Sequence, residues 1–298
     1  MKNVLIIGCG LLGSSLVRRI YKKKIANKIF IYEKSKKNLL KIKRLKLPGI
    51  TVNKLNEAVS KSSLIIFCTP MSEYKKIILK INDTVNSKHI ITDIGSSKLK
   101  SIEIIKKNLS SKAFWTSSHP IAGSEVSGPE NGRQDLFENK WCVLIKEKKT
   151  KTKHLKFLTS FWKKMGSKIV TMSPDKHDKI FSITSHLPHL IAYNLVKSAQ
   201  DFEKFQKFNL IKYSAGGLRD FSRIAASNEV MWRDIFFDNK SNLIKAIDLF
   251  IKNLNAFKKD IKLKNNKSMI RKLIQTKKVR SKIIKLKQDI DKPDFGRS

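Results

Sequence analysis

Cysteine is scarce in this 298-residue chain, which contains only three. Cys9, Cys68 and Cys142 are odd in number and stand in apolar sequence, with neither the even pattern of a disulfide framework nor the paired spacing of a zinc site. These counts argue against a secreted disulfide scaffold and against a structural zinc module. We therefore expect a reduced, cytoplasmic protein that binds no metal.

Long hydrophobic runs are also absent. No uninterrupted apolar stretch approaches the roughly 20 residues that a membrane-spanning helix needs. Lys2 ahead of apolar residues resembles the start of a signal peptide, but glycines interrupt the stretch and no small-residue cleavage site follows. We expect neither membrane insertion nor secretion.

Acidic residues are few, because 24 Asp and Glu stand against 63 Lys and Arg, for a formal net charge of +39. Such an excess is typical of nucleic-acid-binding proteins. The lysines are spread along the whole chain, however, and the segment from Lys262 to Lys287 has no aromatic residue on which a base could stack. The distribution favours solvated lysine-rich faces over a nucleic-acid interface, and the field attracts anionic substrates.

Glycine is sparse as well, at 12 residues, yet three glycines stand together after the first apolar run. Gly8, Gly10 and Gly13 form a G-x-G-x-x-G pattern in which Leu11 and Leu12 open a helix. In such a pattern the first glycine permits a tight turn, the second lets the backbone approach a pyrophosphate, and the third lets the helix pack on the strand. The helix N-terminus then faces the phosphates. These five residues are a predicted dinucleotide site.

Glu33 stands twenty residues after the last of these glycines, at the end of a second apolar run. A carboxylate there accepts hydrogen bonds from both ribose hydroxyls and repels a 2′-phosphate, which favours NAD over NADP. Lys34, Lys36 and Lys37 follow at once, so the sequence leaves NADP open as a cofactor.

Short β-rich runs alternate with amphipathic helical patterns in the first half, as a parallel sheet with crossover helices requires. The predicted strands are Val4–Ile7, Lys28–Tyr32, Leu64–Cys68, Ile90–Asp93, Phe114–Ser117, Cys142–Ile145 and Lys168–Thr171. Ligands of such sheets bind beyond the carboxyl ends of the strands. The loops that follow the third and fourth predicted strands are therefore candidate walls of the site, with Thr69, Pro70 and Gly95 beside the cofactor.

Long helical periodicities replace this alternation after residue 172, where Ser173 and Pro174 are typical of a helix start. The predicted helices are Pro174–Ala199, Gly217–Ala226, Asn228–Asn239, Ser241–Lys262 and Lys267–Lys287. The sequence thus predicts an α/β fold in which a Rossmann-type dinucleotide-binding domain, residues 1–172, precedes an all-helical substrate and dimerisation domain. We assign residues 173–287 to that helical domain and residues 288–298 to a tail.

His119 leaves a predicted strand end between proline and glycine turns. An imidazole titrates near neutrality, so it can take the proton of a hydroxyl while hydride leaves the carbon. Ser96 is a candidate to orient that imidazole by a hydrogen bond. A lone histidine is also compatible with a buried structural role, and residue type alone does not decide between the two.

Arg219 and Arg223 lie one helical turn apart in the helical half. The guanidinium fork suits a carboxylate because it donates two parallel hydrogen bonds. Surface pairs with Asp220 or Glu229 are the alternative interpretation.

His186 and His189 have a spacing that would place two imidazoles on one helix face. No third or fourth metal ligand is patterned nearby, so we predict no metal site.

Four ordered motifs resemble those of the prephenate and arogenate dehydrogenases, also called cyclohexadienyl dehydrogenases. They are HPIAGSE at His119–Glu125, SHLPH at Ser185–His189, GGLRDFSRIA at Gly216–Ala225 and MWRDIF at Met231–Phe236. The resemblance runs from Val4 to about Lys287. Members of that family oxidise a cyclohexadienyl alcohol with loss of the ring carboxylate, giving 4-hydroxyphenylpyruvate from prephenate or tyrosine from arogenate. The resemblance therefore implies an NAD(P)-dependent dehydrogenase of tyrosine biosynthesis.

The same resemblance implies residue roles. The family's catalytic histidine falls on His119, the serine that hydrogen-bonds it on Ser96, the arginine that holds the substrate carboxylate on Arg223, and a substrate contact from the helical domain on His189. Positions that line or support the pocket fall on His186, Asp178, Trp232 and Glu125.

Members of the family are dimers through the helical domain. An apolar stripe with helical spacing between Leu243 and Leu254 is wide enough to pack another helix or a second subunit. We expect a homodimer that acts on a small molecule and binds neither nucleic acid nor membrane. The alternatives are a β-hydroxyacid dehydrogenase, which uses a lysine as its acid or base, and a nucleotide sensor or nucleic-acid binder. The residue pattern does not distinguish prephenate from arogenate.

Overall fold

The computed structural model describes residues 3–110, 112–207, 209–286 and 288. Its first half contains β1 (Asn3–Ile7), α1 (Leu11–Lys22), β2 (Lys28–Tyr32), α2 (Lys36–Arg44), β3 (Ile50–Thr51), α3 (Leu55–Ser60), β4 (Leu64–Phe67), α4 (Tyr74–Ile81), β5 (Ile90–Asp93), α5 (Leu99–Asn108) and β6 (Phe114–Trp115). The six strands pair in parallel in the order β3-β2-β1-β4-β5-β6. This is the strand order of a Rossmann fold, so the predicted fold class is confirmed.

The central strand β1 is buried on both faces, which explains its nearly continuous apolar sequence. Val4 and Ile6 join a core cluster that contains Leu16 of α1, whereas Leu5 joins a second cluster that contains Ile78 of α4. Helices therefore cover both faces of the sheet. The carboxyl ends of β1, β4 and β5 meet at one edge, where ligands of such sheets bind.

A second, three-stranded sheet follows, which the sequence did not predict. It contains β7 (Ser118–Pro120), β8 (Trp141–Ile145) and β9 (Lys168–Met172), with α6 (Thr152–Lys164) between the last two. β7 runs antiparallel to β8, and β9 runs parallel to it. The last predicted strands therefore do not extend the first sheet.

The predicted strand Phe114–Ser117 was wrong in its extent, because β6 ends at Trp115 and β7 begins at Ser118. The Ser118 hydroxyl donates to the carbonyl of Asp93 at 2.7 Å, so a side chain ties this turn to the end of β5. The backbone meanwhile turns away and pairs with β8, opposite Leu144. A periodicity of apolar residues carries no information about such a change of sheet.

The second half contains α7 (Pro174–Phe181), α8 (Leu187–Gln206), α9 (Gly216–Ala225), α10 (Glu229–Asp238), α11 (Lys240–Lys262) and α12 (Asn266–Lys285). A single helix over Pro174–Ala199 was wrong, since the π-helical turn Ser182–His186 separates α7 from α8. Pro188 has no N–H to donate to the carbonyl of Thr184, so the regular helical bonding is interrupted there. Lys287 and residues 289–298, most of the predicted tail, lie outside the described residues.

Helix α10 joins the helical half to the sheet. Its Trp232 and Ile235 belong to the same core cluster as Tyr74 of α4. The carboxylate of Asp234 accepts the backbone N–H of Ser72 at 3.0 Å, just after β4. This packing holds α10 beside the carboxyl edge of the sheet.

Candidate active site

The turn after β1 is built from glycines. Gly8 has φ +90°, and a Cβ there would lie 2.8 Å from a carbonyl oxygen of the loop after β4. A Cβ at Gly13 would overlap the carbonyl oxygen of Gly8, so α1 packs directly on the turn. At Gly10, by contrast, nothing lies within 4 Å of the position of a Cβ. This open space at the start of α1, where Leu11 and Leu12 begin the helix, suits a pyrophosphate.

Glu33 follows β2 and holds the turn in place. Its Oε2 accepts the N–H of Cys9 at 2.8 Å, and its Oε1 accepts the N–H of Ser35 at 2.8 Å. The carboxylate is thereby fixed between the glycine turn and the start of α2. Its remaining lone pairs are the acceptors that ribose hydroxyls require.

A cavity of about 370 Å³ opens beside Glu33. Of the predicted cofactor residues, Gly8, Glu33, Thr69 and Pro70 line it, whereas Gly10, Leu11, Leu12 and Gly13 form the adjoining turn and Gly95 follows β5 outside the lining. The hydroxyl of Thr69 is buried and has no hydrogen-bond partner within the described ranges. A ligand that seats in this cavity can satisfy it.

A buried ion pair lies at the end of β5. Lys98 Nζ donates to Asp93 Oδ2 at 2.6 Å and to the carbonyl of Ser118 at 2.8 Å, and both charged side chains are fully buried. The other oxygen of Asp93 accepts the indole N–H of Trp115 at 2.9 Å. Lys98 thus connects β5 to β7 immediately before the predicted catalytic histidine. The sequence did not single out this lysine.

His119 lies on β7 and is only 8% exposed. Its ring centroid is 4.9 Å from that of Phe181 and 5.0 Å from that of His177. Burial, the neighbouring His177 and the charge of Lys98 all lower the pKa of His119 well below its usual value. The imidazole is therefore neutral at physiological pH, as a general base must be.

His177 is the hydrogen-bond partner of His119. His119 Nδ1 lies 2.8 Å from His177 Nε2, and His177 Nδ1 lies 2.7 Å from Asp178 Oδ1. The carboxylate of Asp178 also accepts the backbone N–H groups of Lys98 and Leu99, each at 2.8 Å, at the N-terminus of α5. Asp178 is fully buried, and its hydrogen bonds hold His177 against the N-terminus of α5.

Ser96 lies half-buried in the loop after β5. Within the described part of the chain it forms no hydrogen bond with His119, whose Nδ1 is engaged by His177. Its predicted hydrogen bond to the histidine stays a prediction for the complex with substrate.

The helical half supplies an aromatic wall. The ring of His189 stacks on Trp232 with centroids 3.7 Å apart and an angle of 21° between the planes. His186 meets the same indole edge-on at 6.3 Å. His189 Nδ1 donates to the carbonyl of Ser185 at 2.9 Å, which fixes the orientation of that ring.

The amide of Asn239 determines the proton position on His186. Its Nδ2 donates to the carbonyl of Asp178 at 2.8 Å, and the same group lies 3.0 Å from His186 Nδ1. Burial lowers the pKa of His186 to about 4, so the ring is neutral, accepts at Nδ1 and carries its proton on Nε2. The backbone of Ser96 hydrogen-bonds His186 and acts on its pKa against the effect of burial, whereas the indole Nε1 of Trp232 is buried without a partner in the described residues. The N–H of Trp232 is therefore available to an oxygen of a ligand.

Arg223 of α9 supplies a positive charge in the helical half. Its Nη1 lies 3.4 Å from Glu125 Oε1, and its Nη2 lies 3.9 Å from Asp220 Oδ1. The side chain is 39% exposed, while its Nε is buried without a partner in the described residues. The guanidinium thus keeps a donor beyond its two carboxylate neighbours.

The two halves of the chain match the two models of one protein family. Residues 16–171 match the prephenate dehydrogenase nucleotide-binding domain, and residues 173–276 match the prephenate dehydrogenase dimerization domain. This chain belongs to the prephenate dehydrogenase family. It is thereby one of a group of NAD(P)-dependent oxidoreductases.

Relatives of the prephenate dehydrogenase family match over nearly the whole chain. The cyclohexadienyl dehydrogenase of Zymomonas mobilis is 30% identical over 292 residues, which are 97% of this chain and 98% of that protein. The prephenate dehydrogenase of Bacillus subtilis is 28% identical over 271 residues, or 90% of this chain and 72% of that one. The structure of Aquifex aeolicus prephenate dehydrogenase in complex with hydroxyphenyl propionate and NAD+ has a TM-score of 0.88 at 32% identity, covering 95% of this chain and 98% of that one. These matches do not favour the β-hydroxyacid dehydrogenase alternative.

Two further observations concern metals and membranes. Among the residues that the structure describes, no three His, Cys, Asp or Glu side chains are grouped so that they could hold a metal ion. The described helices include none with the length and apolar character that crossing a bilayer demands.

Sequence reasoning missed His177, Lys98 and Asn239 among the residues of this site. The His119–His177 contact joins residues 58 positions apart, and no helical or strand spacing predicts it. The only available signal was indirect, since His177 precedes Asp178, a position that the family resemblance had already marked.

Proposed function

We propose that this protein oxidises and decarboxylates prephenate, arogenate or both, with NAD as hydride acceptor, in the biosynthesis of tyrosine. The observation that carries the proposal is the buried His119, whose Nδ1 is engaged by His177 and whose pKa is held well below its usual value. The match to the prephenate dehydrogenase family supports the proposal, as do the relatives that are named cyclohexadienyl and prephenate dehydrogenases.

The nucleotide end fits a dinucleotide in three respects. Gly10 leaves open space at the start of α1, Glu33 presents a fixed carboxylate, and the Thr69 hydroxyl is buried and unsatisfied in the described chain. NAD bound there supplies the hydride acceptor. We propose NAD over NADP because a carboxylate at the ribose repels a 2′-phosphate.

His119 acts as the base in this proposal. It polarises the ring hydroxyl of the substrate and accepts the hydroxyl proton while hydride leaves the carbon that bears this hydroxyl. The electron pair of the bond to the ring carboxylate then enters the ring as carbon dioxide departs. The proton returns to the phenolic oxygen once the ring is aromatic, so the net products are carbon dioxide, the reduced cofactor and the phenol.

Substrate oxygens are held from the helical half. Arg223 attracts a carboxylate, and the indole N–H of Trp232 offers a neutral donor. His189 contacts the substrate from its stack on Trp232, and Glu125 orients the arginine. Ser96 completes the set at the ring hydroxyl when substrate binds, since catalytic hydrogen bonds often tighten only in the complex.

We further propose a homodimer assembled through the helical domain, residues 173–287, in the cytoplasm. The family's dimerization domain supports the dimer. Large apolar side chains lie exposed along α11 and α12, namely Ile244, Leu249, Ile251 and Leu254 on the first and Ile270, Leu273, Ile274 and Val279 on the second. A surface of that kind is typical of an interface between subunits. The three unbridged cysteines agree with a reducing compartment.

The test is the formation of reduced cofactor by the purified protein with prephenate and arogenate offered separately, with NAD and NADP in parallel. We expect turnover with at least one substrate, faster with NAD, and release of 4-hydroxyphenylpyruvate or tyrosine. A folded protein that binds NAD and turns over neither substrate would contradict the proposal.

A further inference from the structure

A line of buried hydrogen bonds runs from the backbone of α5 to the predicted base. Asp178 accepts from two backbone N–H groups, His177 bonds to Asp178, and His119 bonds to His177. His177 and Asp178 are fully buried. The order of donors and acceptors along this line determines which nitrogen of His119 holds a proton.

The donors and acceptors along this line can be assigned by starting from Asp178. The backbone N–H groups of Lys98 and Leu99 can only donate, so both oxygens of Asp178 act as acceptors. The carboxylate therefore accepts again at Oδ1, and the proton of that bond belongs to His177 Nδ1. Burial lowers the pKa of His177, which leaves the ring neutral and its Nε2 with a bare lone pair.

The next bond follows from that lone pair. His177 Nε2 must accept, so His119 donates from Nδ1 across the 2.8 Å contact. Because His119 is neutral as well, its Nε2 carries no proton and can receive one. The other charged and titratable groups that influence the two rings are Lys98, Asp93 and His186.

We propose that His177 is a positioning residue that holds His119 in the tautomer whose Nε2 accepts the substrate proton, and that Asp178 fixes His177 in turn. This inference rests on the proposed function. When His119 takes the proton, its Nδ1–H bond to His177 becomes charge-assisted and stronger. The carboxylate of Asp178 lies one ring further along and offsets part of the new positive charge. The proton stays on His119 and returns to the product.

Packing alone is a second explanation for the presence of His177 beneath His119. Its ring centroid lies 4.5 Å from that of Phe181, and the two rings fill the space beneath His119. A packing role depends only on ring volume. A role in setting the tautomer depends on the lone pair at Nε2, so the two explanations predict different results for two variants.

The first experiment reads the tautomers directly, by long-range proton–nitrogen NMR of wild-type protein labelled with nitrogen-15 at its six histidines. We expect His119 and His177 both to be protonated at Nδ1 and bare at Nε2. His89 is the internal reference, since its Nδ1 accepts from Asn86 at 3.1 Å and its Nε2 donates to the carbonyl of Val59 at 3.2 Å, the opposite pattern. A proton on Nε2 of His119 in the neutral ring would overturn the proposal, whatever the enzyme turns over.

The second experiment compares His177→Phe with His177→Gln. The phenyl ring preserves volume and removes the acceptor, whereas the glutamine carbonyl can take the place of Nε2. We expect kcat with the better substrate to fall about 10- to 100-fold in His177→Phe, less than the roughly 10²- to 10⁴-fold that loss of the base itself costs, and to recover most of that loss in His177→Gln. The affinity for NAD should remain unchanged in both.

The outcomes separate this inference from the proposed function. Equal kcat values for the two variants, or a His119 tautomer in His177→Phe unchanged from wild type, would show that His177 only fills space. Absence of turnover in the wild type would instead contradict the proposed function, and the NMR result would still decide the tautomer. If His177→Phe does not fold, the wild-type spectrum and the kcat of His177→Gln, expected near the wild-type value, provide the test.

Discussion

The two ends of the candidate site are built by different means. At the nucleotide end, Gly8, Gly10, Gly13 and Glu33 lie close together in the sequence and act largely through backbone geometry. At the substrate end, side chains from β7, α7, α8, α9 and α10 meet across long stretches of chain. A glycine turn is sensitive to any added side-chain volume. A network of hydrogen-bonded side chains is sensitive instead to the loss of a donor, an acceptor or a charge.

The two ends also differ in how burial changes the pKa values of their side chains. Most of the substrate-end groups with lowered pKa values are imidazoles, namely those of His119, His177, His186 and His189. Burial is the first cause at each of them. In the proposed function, the chemistry that needs a neutral base is therefore assigned to the substrate end, and binding of the dinucleotide is assigned to the other end.

The largest effect should come from His119→Gln, which removes the base and leaves the nucleotide turn intact. We expect kcat to fall by about 10²- to 10⁴-fold, the usual contribution of general-base catalysis, with no change in the dissociation constant for NAD. Steady-state kinetics and calorimetric titration measure the two quantities. His154→Gln, on α6, is the control. A similar loss of kcat in that variant, or a weakened NAD affinity in His119→Gln, would contradict the assignment of catalysis and cofactor binding to separate ends of the site.

Arg223→Gln should act on the substrate and not on the cofactor. Loss of a charged hydrogen bond of roughly 1.5–3 kcal/mol corresponds to an increase in KM for substrate of about 10- to 100-fold. Arg219→Gln, one helical turn away and exposed, is the matched control and should leave KM within about twofold. An equal change in both variants would mean that general positive charge, not a specific clamp, attracts the substrate.

Glycine substitutions should divide the nucleotide end into a folding part and a binding part. Gly13→Ala places a Cβ against the carbonyl of Gly8 and should destabilise the fold by about 1–3 kcal/mol, as overpacking does. Gly10→Ala meets open space in the protein and should leave the melting temperature unchanged while it weakens NAD binding about tenfold, because the methyl group takes the place of the pyrophosphate. Thermal unfolding and NAD titration check both, and unchanged NAD affinity in Gly10→Ala would remove that residue from the site.

A change of stability with pH is also expected, and it arises at the substrate end. The folded-state pKa of His186 is about 4, below the unfolded value of 6.5, so the unfolded chain binds more protons between these values. The stability that the neutral ring contributes is complete above pH 6.5 and is lost as the pH falls toward 4, by an amount on the order of 3 kcal/mol. Urea unfolding at several pH values measures it, and His186→Gln should flatten the slope. A slope of the same size in that variant would assign the effect to other groups.

Sequence reasoning was successful where structure is local. The glycine pattern, Glu33 and the order of β1, α1 and β2 follow from residues within about 30 positions of one another, and the structure has them as expected. It failed where distant segments decide the outcome. Nothing in Phe114–Ser117 indicates the change of sheet, and nothing near His119 indicates a bond to His177. Pro188 was the one local signal left unused, since it marks the break between α7 and α8.

We propose that oxidation and loss of the carboxylate are one reaction at His119. The most direct measurement counts carbon dioxide and reduced cofactor released together from the preferred substrate, in wild type and in His119→Gln. We expect equal amounts of both products in the wild type and the loss of both in the variant. Reduced cofactor formed without carbon dioxide would contradict it, because a simple alcohol oxidation would then explain the activity.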